Sequence, residues 1–258
     1  MAINLEGEGK PIARIMSEKD KSKKMSKILH VADEEDNVIN PYKYLQCKKN
    51  ECIQQIPNYD TERDTLYICG KSGSGKTLYM KKYIAQYNIL YPTRQIYIFA
   101  PLSDVSNDPS LEGLKNVNLI DINSDEFLDA ELSSKDFQDS LVAFDDCDNI
   151  KDKLLSQKLD KLLTNLLQCG RHTNTTVIYL SHIACNGHST KAILNECHTI
   201  TFFPKGLGGK TLKYLLENYL SLDKNQIEQI KKIKSRHITV FNTYPTAVLF
   251  DKGLYVLH

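Results

Sequence analysis

The chain has 258 residues, of which 41% are hydrophobic, so it is long enough and apolar enough to form a substantial core. Its 33 Lys and Arg residues nearly balance its 32 Asp and Glu residues, and the net charge of +1 excludes a polyanion-binding surface spread over the whole molecule. No apolar run approaches the ~18 residues of a membrane span, and the seven Cys residues include no C-x-x-C pair, so we expect no membrane association and reduced thiols in a cytoplasmic setting.

The first 64 residues are polar and are interrupted by Pro11, Pro41 and Pro57. A basic run that includes Lys19 to Lys24 precedes an acidic cluster that begins at Asp33. We predict that residues 1–64 form a partly irregular, partly mobile extension that covers one edge of a sheet. We interpret its basic part as a solvated mixed-charge arm, with contact to nucleic acid or to a partner as the alternative. Residues 65–258 are predicted to form the main domain.

The most informative motif opens that domain. Residues 65–69 read as a short buried strand, and a helix is predicted from about Leu78. The segment between them matches G-x-x-x-x-G-K-[ST] at every fixed position and consists of Gly70, Lys71, Ser72, Gly73, Ser74, Gly75, Lys76 and Thr77. Such a loop places backbone N–H groups at a helix N-terminus and cradles a polyphosphate. We therefore predict an ATP site in which Lys76 contacts the β- and γ-phosphates and Thr77 ligates Mg²⁺; a Gly/Ser surface turn is the alternative.

Beyond this loop, apolar strands alternate with helical stretches, which predicts a mostly parallel central sheet with helices on both faces in an α/β fold. The predicted strands cover residues 95–100, 117–121, 141–144, 175–180 and 198–203. Leucines recur at helical spacing from Leu154 to Leu167, and we interpret this stripe as core rather than as a coiled-coil seam. After Pro204, two helical stretches precede two more strands, and we assign this tail to the same domain.

Two carboxylates, Asp145 and Asp146, follow the apolar strand over residues 141–144. Open α/β sheets bind ligands at the carboxyl ends of their strands, so Asp145 is predicted to hold Mg²⁺, directly or through water. Asp146 is placed to orient and deprotonate an attacking water, which indicates hydrolysis rather than transfer to a small acceptor. A strand end that is simply followed by acidic turn residues is the alternative.

The strand over residues 175–180 ends in Ser181 and His182. In the additional-strand class of P-loop ATPases, one strand lies between the strand before the phosphate-binding loop and the strand before the paired acids. The polar residue at its tip then faces the γ-phosphate. We predict that His182, or alternatively Ser181, senses hydrolysis through a hydrogen bond, although a lone His is usually only a satisfied polar residue.

The segment that leads into this strand contains Gly170, Arg171 and His172. Together with the Ser-Gly-Lys-Thr end of the loop and the paired acids, it resembles the genome-packaging ATPases of large DNA viruses and virophages. These are poxvirus-type motors of the FtsK/HerA superfamily, with a RecA-like fold. The resemblance covers about residues 66–204, and the Gly-Arg-His element is its specific part.

What the resemblance implies is an ATP-driven ring of five or six subunits that moves double-stranded DNA into a preformed capsid. Arg171 then corresponds to the arginine that enters a neighbouring subunit's active site, where a guanidinium stabilises the developing charge. The family commonly has Gln where this chain has His182. A capsid protein is a further expected partner, and the virion, the host-cell cytoplasm or the virus factory is the expected location.

Other interpretations stay open at this point. The chain could be a nucleotide or small-molecule kinase, although its five Arg residues form no lid-like pair, or a regulatory P-loop ATPase that binds no DNA. Arg171 could instead cap the leucine-rich helix locally. A zinc site is a weak hypothesis for the cluster His182, Cys185, His188, Cys197 and His198. Contact with DNA phosphates is a hypothesis for the loop over residues 205–210 and for a basic cluster, with a solvated surface as the alternative. That cluster comprises Lys224, Lys231, Lys232, Lys234 and Arg236.

Overall fold

The computed structural model describes residues 1–17, 27–36, 38–39, 41–101, 111–148, 150–185 and 187–257. The strands are β1 (Ala2–Asn4), β2 (Lys10–Ser17), β3 (Lys27–Ala32), β4 (Tyr44–Gln46), β5 (Glu51–Gln55), β6 (Thr65–Cys69), β7 (Ile96–Ala100), β8 (Val117–Asp121), β9 (Leu141–Phe144), β10 (Thr176–Ser181), β11 (Thr199–Phe202), β12 (Ile238–Phe241), β13 (Ala247–Phe250) and β14 (Gly253–Val256). The α-helices of this part of the chain are α1 (Lys76–Leu90), α2 (Asp125–Asp129), α3 (Lys153–Cys169), α4 (Gly187–Glu196), α5 (Gly209–Asn218) and α6 (Lys224–Lys232).

A ten-stranded sheet forms the framework, in the order β4-β14-β13-β12-β11-β6-β10-β9-β7-β8. Neighbouring strands from β11 to β8 are parallel, and the strands from β11 to β4 pair antiparallel. Strand β10 lies between β6 and β9, which confirms the additional-strand arrangement predicted from the sequence. Every residue of β6, β9 and β10 is buried, as expected for parallel strands that are covered on both faces.

Helices cover both faces of the parallel part of the sheet. In β6, Tyr67 and Cys69 face one apolar cluster, which also contains the buried leucines of α3. The alternate residues, Leu66 and Ile68, face a second cluster built on α1. The leucine stripe of α3 is therefore core, as predicted, except at Leu154, whose side chain is 77% exposed.

The described residues of the N-terminal segment include five strands, β1 to β5, which are separated by turns and bends. Strands β1, β3, β2 and β5 form an antiparallel sheet of their own, and β4 pairs with β14 at the edge of the large sheet. Among the described strands of this segment, only β4 therefore covers an edge of the large sheet. The alternation of short apolar strands was hidden by the polar residues between them. The basic run from Lys19 to Lys24 lies outside the described residues, and the boundary at residues 64 and 65 stays a prediction.

This small sheet packs against β12 to β14. Leu29 of β3 and Ile53 of β5 share one apolar cluster with Leu249 and Leu254. A buried hydroxyl ties the same layer to α1, because the Tyr79 hydroxyl lies 2.6 Å from Gln55 Oε1 and 2.8 Å from Thr239 Oγ1. The N-terminal strands therefore share their core with the C-terminal strands of the large sheet.

One partly buried histidine, whose side chain is 13% exposed, lies where these layers meet. The His237 ring packs edge-on against Tyr79 at 4.7 Å between ring centroids and at a tilt against Phe203 at 5.9 Å. Its Nδ1 lies 3.2 Å from Asp251 Oδ1. Burial is the largest influence and lowers the pKa of His237 to about 4; Asp251 acts in the opposite direction, and Lys82 and Arg236 act with burial.

We predict that Leu29→Ala lowers the free energy of unfolding by about 2–5 kcal/mol, because it removes a fully buried side chain from the core that the two sheets share. The same substitution at the exposed Leu154 should change it by no more than about 0.5 kcal/mol. Urea unfolding followed by circular dichroism measures both. Equal effects of the two substitutions would contradict the packing of the N-terminal sheet.

We also predict that the folded protein loses stability in acid through His237. The pKa of His237 is about 4 in the folded chain and 6.5 for an ordinary His, so the folded state binds fewer protons in that window. The stability contributed by neutral His237 is present above pH 6.5 and is lost as the pH falls towards 4, which amounts to about 3 kcal/mol. Urea unfolding at several pH values should show a shallower acid loss for His237→Gln than for the unaltered protein. His172→Gln, at an exposed site, should keep the original slope; identical slopes in all three proteins would contradict this assignment.

Candidate nucleotide-binding site

The predicted phosphate-binding loop connects β6 to α1 at the carboxyl edge of the parallel strands. Gly73 and Gly75 have φ angles of 71° and 109°, in the left-handed region that glycine adopts most easily. Gly75 is the N-cap of α1, which has no side-chain cap and no acidic residue in its first turn. By contrast, Asp152 caps α3 and Asp223 caps α6. The positive end of the α1 dipole is therefore left for an anion.

The remaining loop residues form the turn itself. Lys71, Ser72 and Gly73 are exposed, and the Ser74 N–H donates to the Lys71 carbonyl at 3.2 Å. The start of the loop is held to β10, because the Gly70 N–H donates to the Ser181 carbonyl at 3.0 Å. The loop is thus anchored at its base and open at its tip.

Lys76 is buried at the centre of the site. Its Nζ donates to the Gly70 carbonyl at 3.0 Å and lies 3.2 Å from His182 Nδ1. Burial lowers the pKa of Lys76, and the negative charges of nearby carboxylates, Asp146 first among them, oppose that shift. The ammonium is therefore held between the start of the loop and the tip of β10.

The paired acids follow β9 as predicted. Asp145 is buried, and its Oδ2 accepts a hydrogen bond from the Thr77 hydroxyl at 3.2 Å. A hydroxyl and a carboxylate oxygen are ligands that Mg²⁺ prefers, so this pair fits the magnesium site predicted from the sequence. Asp146 has a φ of 54°, a left-handed conformation that Asp adopts more readily than most residues. That turn brings its carboxylate to His182.

His182 joins Lys76 to Asp146. Its Nε2 lies 2.7 Å from Asp146 Oδ1. Because the Lys76 ammonium can only donate to Nδ1, the partners assign the proton to Nε2, which donates to Asp146. Lys76, His182 and Asp146 thus form a continuous hydrogen-bonded chain across the tips of three adjacent strands.

A third carboxylate, Asp148, supports this chain and was missed in the sequence analysis. Its Oδ2 accepts hydrogen bonds from the His182 N–H at 2.7 Å and from the Ser181 hydroxyl at 2.9 Å. It therefore fixes the backbone at the tip of β10. The only signal in the sequence is a further acid shortly after Asp145 and Asp146.

Arg171 is the one predicted catalytic residue that lies away from the others. It is exposed and precedes β10, whose far end carries His182. At ~3.3 Å per residue, β10 alone separates Arg171 from His182 by roughly 17 Å. Arg171 therefore lies at the amino ends of the parallel strands, whereas Lys76 lies at their carboxyl ends. The local capping alternative is weakened, because Arg63 already donates to the carbonyls of Leu166 and Leu167 at the end of α3.

Arg236 is placed differently from its predicted position in a basic DNA-contacting cluster. Its Nε donates to the Ser74 carbonyl at 3.0 Å, so it contacts the phosphate-binding loop. The two residues are 162 positions apart, and no local pattern could have connected them.

Two further expectations concern metals and membranes. Among the residues that the structure describes, no group of three or more His, Cys, Asp or Glu side chains could hold a metal ion, and the side chain of His188 lies outside that set. Cys197 is buried, and His198 Nδ1 lies 3.8 Å from Asp64 Oδ1 instead. None of the helices in the described part of the chain has the length and apolar character to span a bilayer.

Comparison with known proteins adds a relative and a fold. No protein-family model matches the chain. The chain is 35% identical over 254 residues to "Uncharacterized protein V3" of Sputnik virophage, and the match covers 97% of each protein. Among solved structures it is similar to the pCW3 conjugation coupling protein TcpA with ATPγS, with a TM-score of 0.50, 12% identity and coverage of 93% of this chain and 77% of TcpA. It is also similar to the genome-packaging NTPase B204 of Sulfolobus turreted icosahedral virus 2, with a TM-score of 0.48, 15% identity and coverage of 74% and 97%.

The likeness to TcpA shows the fold, which is the α/β fold of P-loop NTPases with a mostly parallel central sheet. The virophage relative confirms the resemblance to virophage proteins that the sequence indicated. On its full-length identity to V3, the chain belongs to the protein family of the Sputnik virophage V3 protein.

Proposed function

We propose that this protein is an ATPase that translocates double-stranded DNA and packages a viral genome into a preformed capsid. The observation that carries the proposal is the hydrogen-bonded chain of Lys76, His182 and Asp146, beside the Thr77–Asp145 pair and the uncapped start of α1. A phosphate cradle, a buried cation, a magnesium-compatible pair and a general base thus come from adjacent strands of one subunit.

Binding of the triphosphate uses the loop and the helix dipole. The backbone of residues 70–77 surrounds the phosphates, and Lys76 donates to them in place of its bond to His182. Thr77 and Asp145 would hold Mg²⁺, which neutralises charge on the phosphates and so assists hydrolysis. The buried position of Lys76 strengthens its attraction to phosphate, because little water screens it.

Hydrolysis is assigned to Asp146. Its carboxylate accepts a proton from the attacking water, and the His182 Nε2–H orients that carboxylate. The Nδ1 of His182 accepts from Lys76, so it loses this partner when Lys76 donates to the γ-phosphate and regains it when the phosphate leaves. Asp148 accepts a hydrogen bond from the His182 N–H, so a change at the His182 side chain is coupled to the tip of β10.

Assembly follows from the position of Arg171. Arg171 lies at the amino ends of the parallel strands and Lys76 at their carboxyl ends, so Arg171 serves a neighbour's site in a head-to-tail contact between subunits. Repeated contacts of that kind close into a ring, for which the family resemblance implies five or six subunits. A guanidinium that arrives from a neighbour makes hydrolysis depend on assembly.

Contact with DNA is assigned to exposed lysines on and after α6. These are Lys224, Lys231, Lys232 and Lys234. Such a local basic surface binds phosphates without reading bases and agrees with the near-zero net charge of the chain. Lys205 and Lys210, which flank the loop after β11, are exposed and are assigned the same role. The virophage relative supports a viral origin, so we expect the protein in the virion or in the host-cell cytoplasm.

We predict that the rate of ATP hydrolysis per subunit rises with protein concentration and with added double-stranded DNA. Lys76→Ala should lower the rate by about 100-fold or more, because it removes the cation that contacts the phosphates. Lys82→Ala removes an exposed cation from the same helix and should leave the rate unchanged. A phosphate-release assay measures the rates of the unaltered protein and of both variants. Full activity in Lys76→Ala would rule out the loop assignment. A rate that does not change when DNA is added would favour a regulatory ATPase.

A mixing experiment tests the role of Arg171. Arg171→Ala should bind ATP normally yet lose roughly 10³-fold in assembly-dependent hydrolysis. Lys76→Ala keeps Arg171 but lacks a working site of its own. A mixture of the two variants should regain activity, because the intact site of an Arg171→Ala subunit can receive Arg171 from a Lys76→Ala neighbour. Persistent inactivity of the mixed assembly, or undiminished turnover in Arg171→Ala alone, would show that the residue does not act in trans.

A further inference from the structure

Arg236 lies directly against the phosphate-binding loop. Its Nε donates to the Ser74 carbonyl at 3.0 Å. The rest of its guanidinium lies over Gly75, since a Cβ built on that glycine would be 2.9 Å from Nη2 and 3.2 Å from Cζ. Arg236 therefore stands beside the N-cap of α1, where the positive end of the helix dipole begins.

The backbone holds this arginine in place. Asp251 Oδ2 accepts hydrogen bonds from the Ser235 hydroxyl at 2.8 Å and from the Arg236 N–H at 3.2 Å. The ring of the next residue, His237, packs against Tyr79 and Phe203. Arg236 thus extends from an anchored turn, unlike a lysine on a solvated helix face.

The charge of Arg236 is placed where the protein alone gains little from it. A cation near a helix N-terminus opposes the dipole, and the first turn of α1 offers no acidic residue to offset it. Asp251 contacts the backbone of Arg236 rather than its guanidinium. A guanidinium has five N–H donors, of which the bond to Ser74 uses the one on Nε. An anion bound at the loop would attract both the guanidinium and the positive end of the α1 dipole, and would so offset their repulsion.

We propose that Arg236 is a nucleotide-binding residue that acts in cis, with its guanidinium on the phosphates of the nucleotide held by the loop. The inference rests on the proposed nucleotide site and adds a second cation to Lys76. Arg236 differs from Arg171 in role, since Arg236 serves the site of its own subunit and does not require assembly.

Equilibrium binding of ATPγS and ADP to the full chain tests this inference. Arg236→Ala and Arg236→Gln should weaken ATPγS and ADP binding by about 10- to 100-fold, as expected for the loss of one charge-assisted hydrogen bond. Arg236→Lys keeps the charge and should bind more tightly than Arg236→Gln. Lys82→Gln removes a nearby exposed cation and should bind ATPγS like the unaltered protein.

The Gln variant separates a phosphate contact from bracing of the loop. Glutamine can still donate one hydrogen bond to the Ser74 carbonyl but carries no charge. If Arg236→Gln binds ATPγS as well as the unaltered protein, or better than Arg236→Lys, Arg236 only braces the loop and the inference is overturned. Thermal unfolding without nucleotide checks that each variant is folded, and the Lys and Gln pair decides the matter if Arg236→Ala does not fold.

The outcomes also separate this inference from the proposed function. If the unaltered protein fails to bind ATPγS, the nucleotide site itself is wrong and the inference falls with it. If the unaltered protein binds and all three Arg236 variants bind equally well, the nucleotide site stands and only the role of Arg236 is lost.

Discussion

The parallel pairing of β6, β10 and β9 is the constraint on which the rest of the structure depends. Strand β10 pairs with both neighbours, with Ser181 opposite Cys69 and Tyr179 opposite Phe144. All three strands are buried on both faces, so their register is fixed by core packing. A slip of one residue would exchange the two faces of a strand and separate the side chains at its tip. The hydrogen-bonded chain from Lys76 through His182 to Asp146 is therefore a consequence of how the core packs.

The electrostatics of the site follow from the same arrangement. Burial alone would favour neutral Lys76, and the carboxylates that follow β9 oppose that effect. Each charged group has a partner that a phosphate, a metal ion or a water can replace: Lys76 has His182, and Asp145 has Thr77. Exchange of partners costs little when the new partner carries more charge than the old one. That property suits the proposed function, in which a highly charged ligand binds and leaves in each cycle.

Sequence reasoning identified residues that the structure brings together where a few consecutive residues at a strand end carry a pattern. The loop from Gly70 to Thr77, the acids after β9 and His182 at the tip of β10 each carry a local pattern, and the position of β10 followed from the class of fold. Sequence reasoning failed where contacts join residues that are far apart in the sequence. Arg236 reaches the loop only because β12 runs antiparallel to β11 and so begins beside Phe202. The N-terminal strands were not predicted because they share their core with residues about 190 to 250 positions away.

The position of Arg236 gives the N-terminal sheet a connection to the candidate nucleotide site. Asp251, which anchors the turn before β12, lies in the tight connection between β13 and β14. Those strands pack on one face against the N-terminal sheet, through Leu249 and Leu254. The Tyr79 hydroxyl then joins Gln55 of the N-terminal sheet to the helix that begins at Lys76. Two routes therefore lead from residues 1–64 to the loop, one through the turn that carries Arg236 and one through α1. The packing of the N-terminal sheet therefore constrains both the turn that carries Arg236 and the helix that follows the phosphate-binding loop.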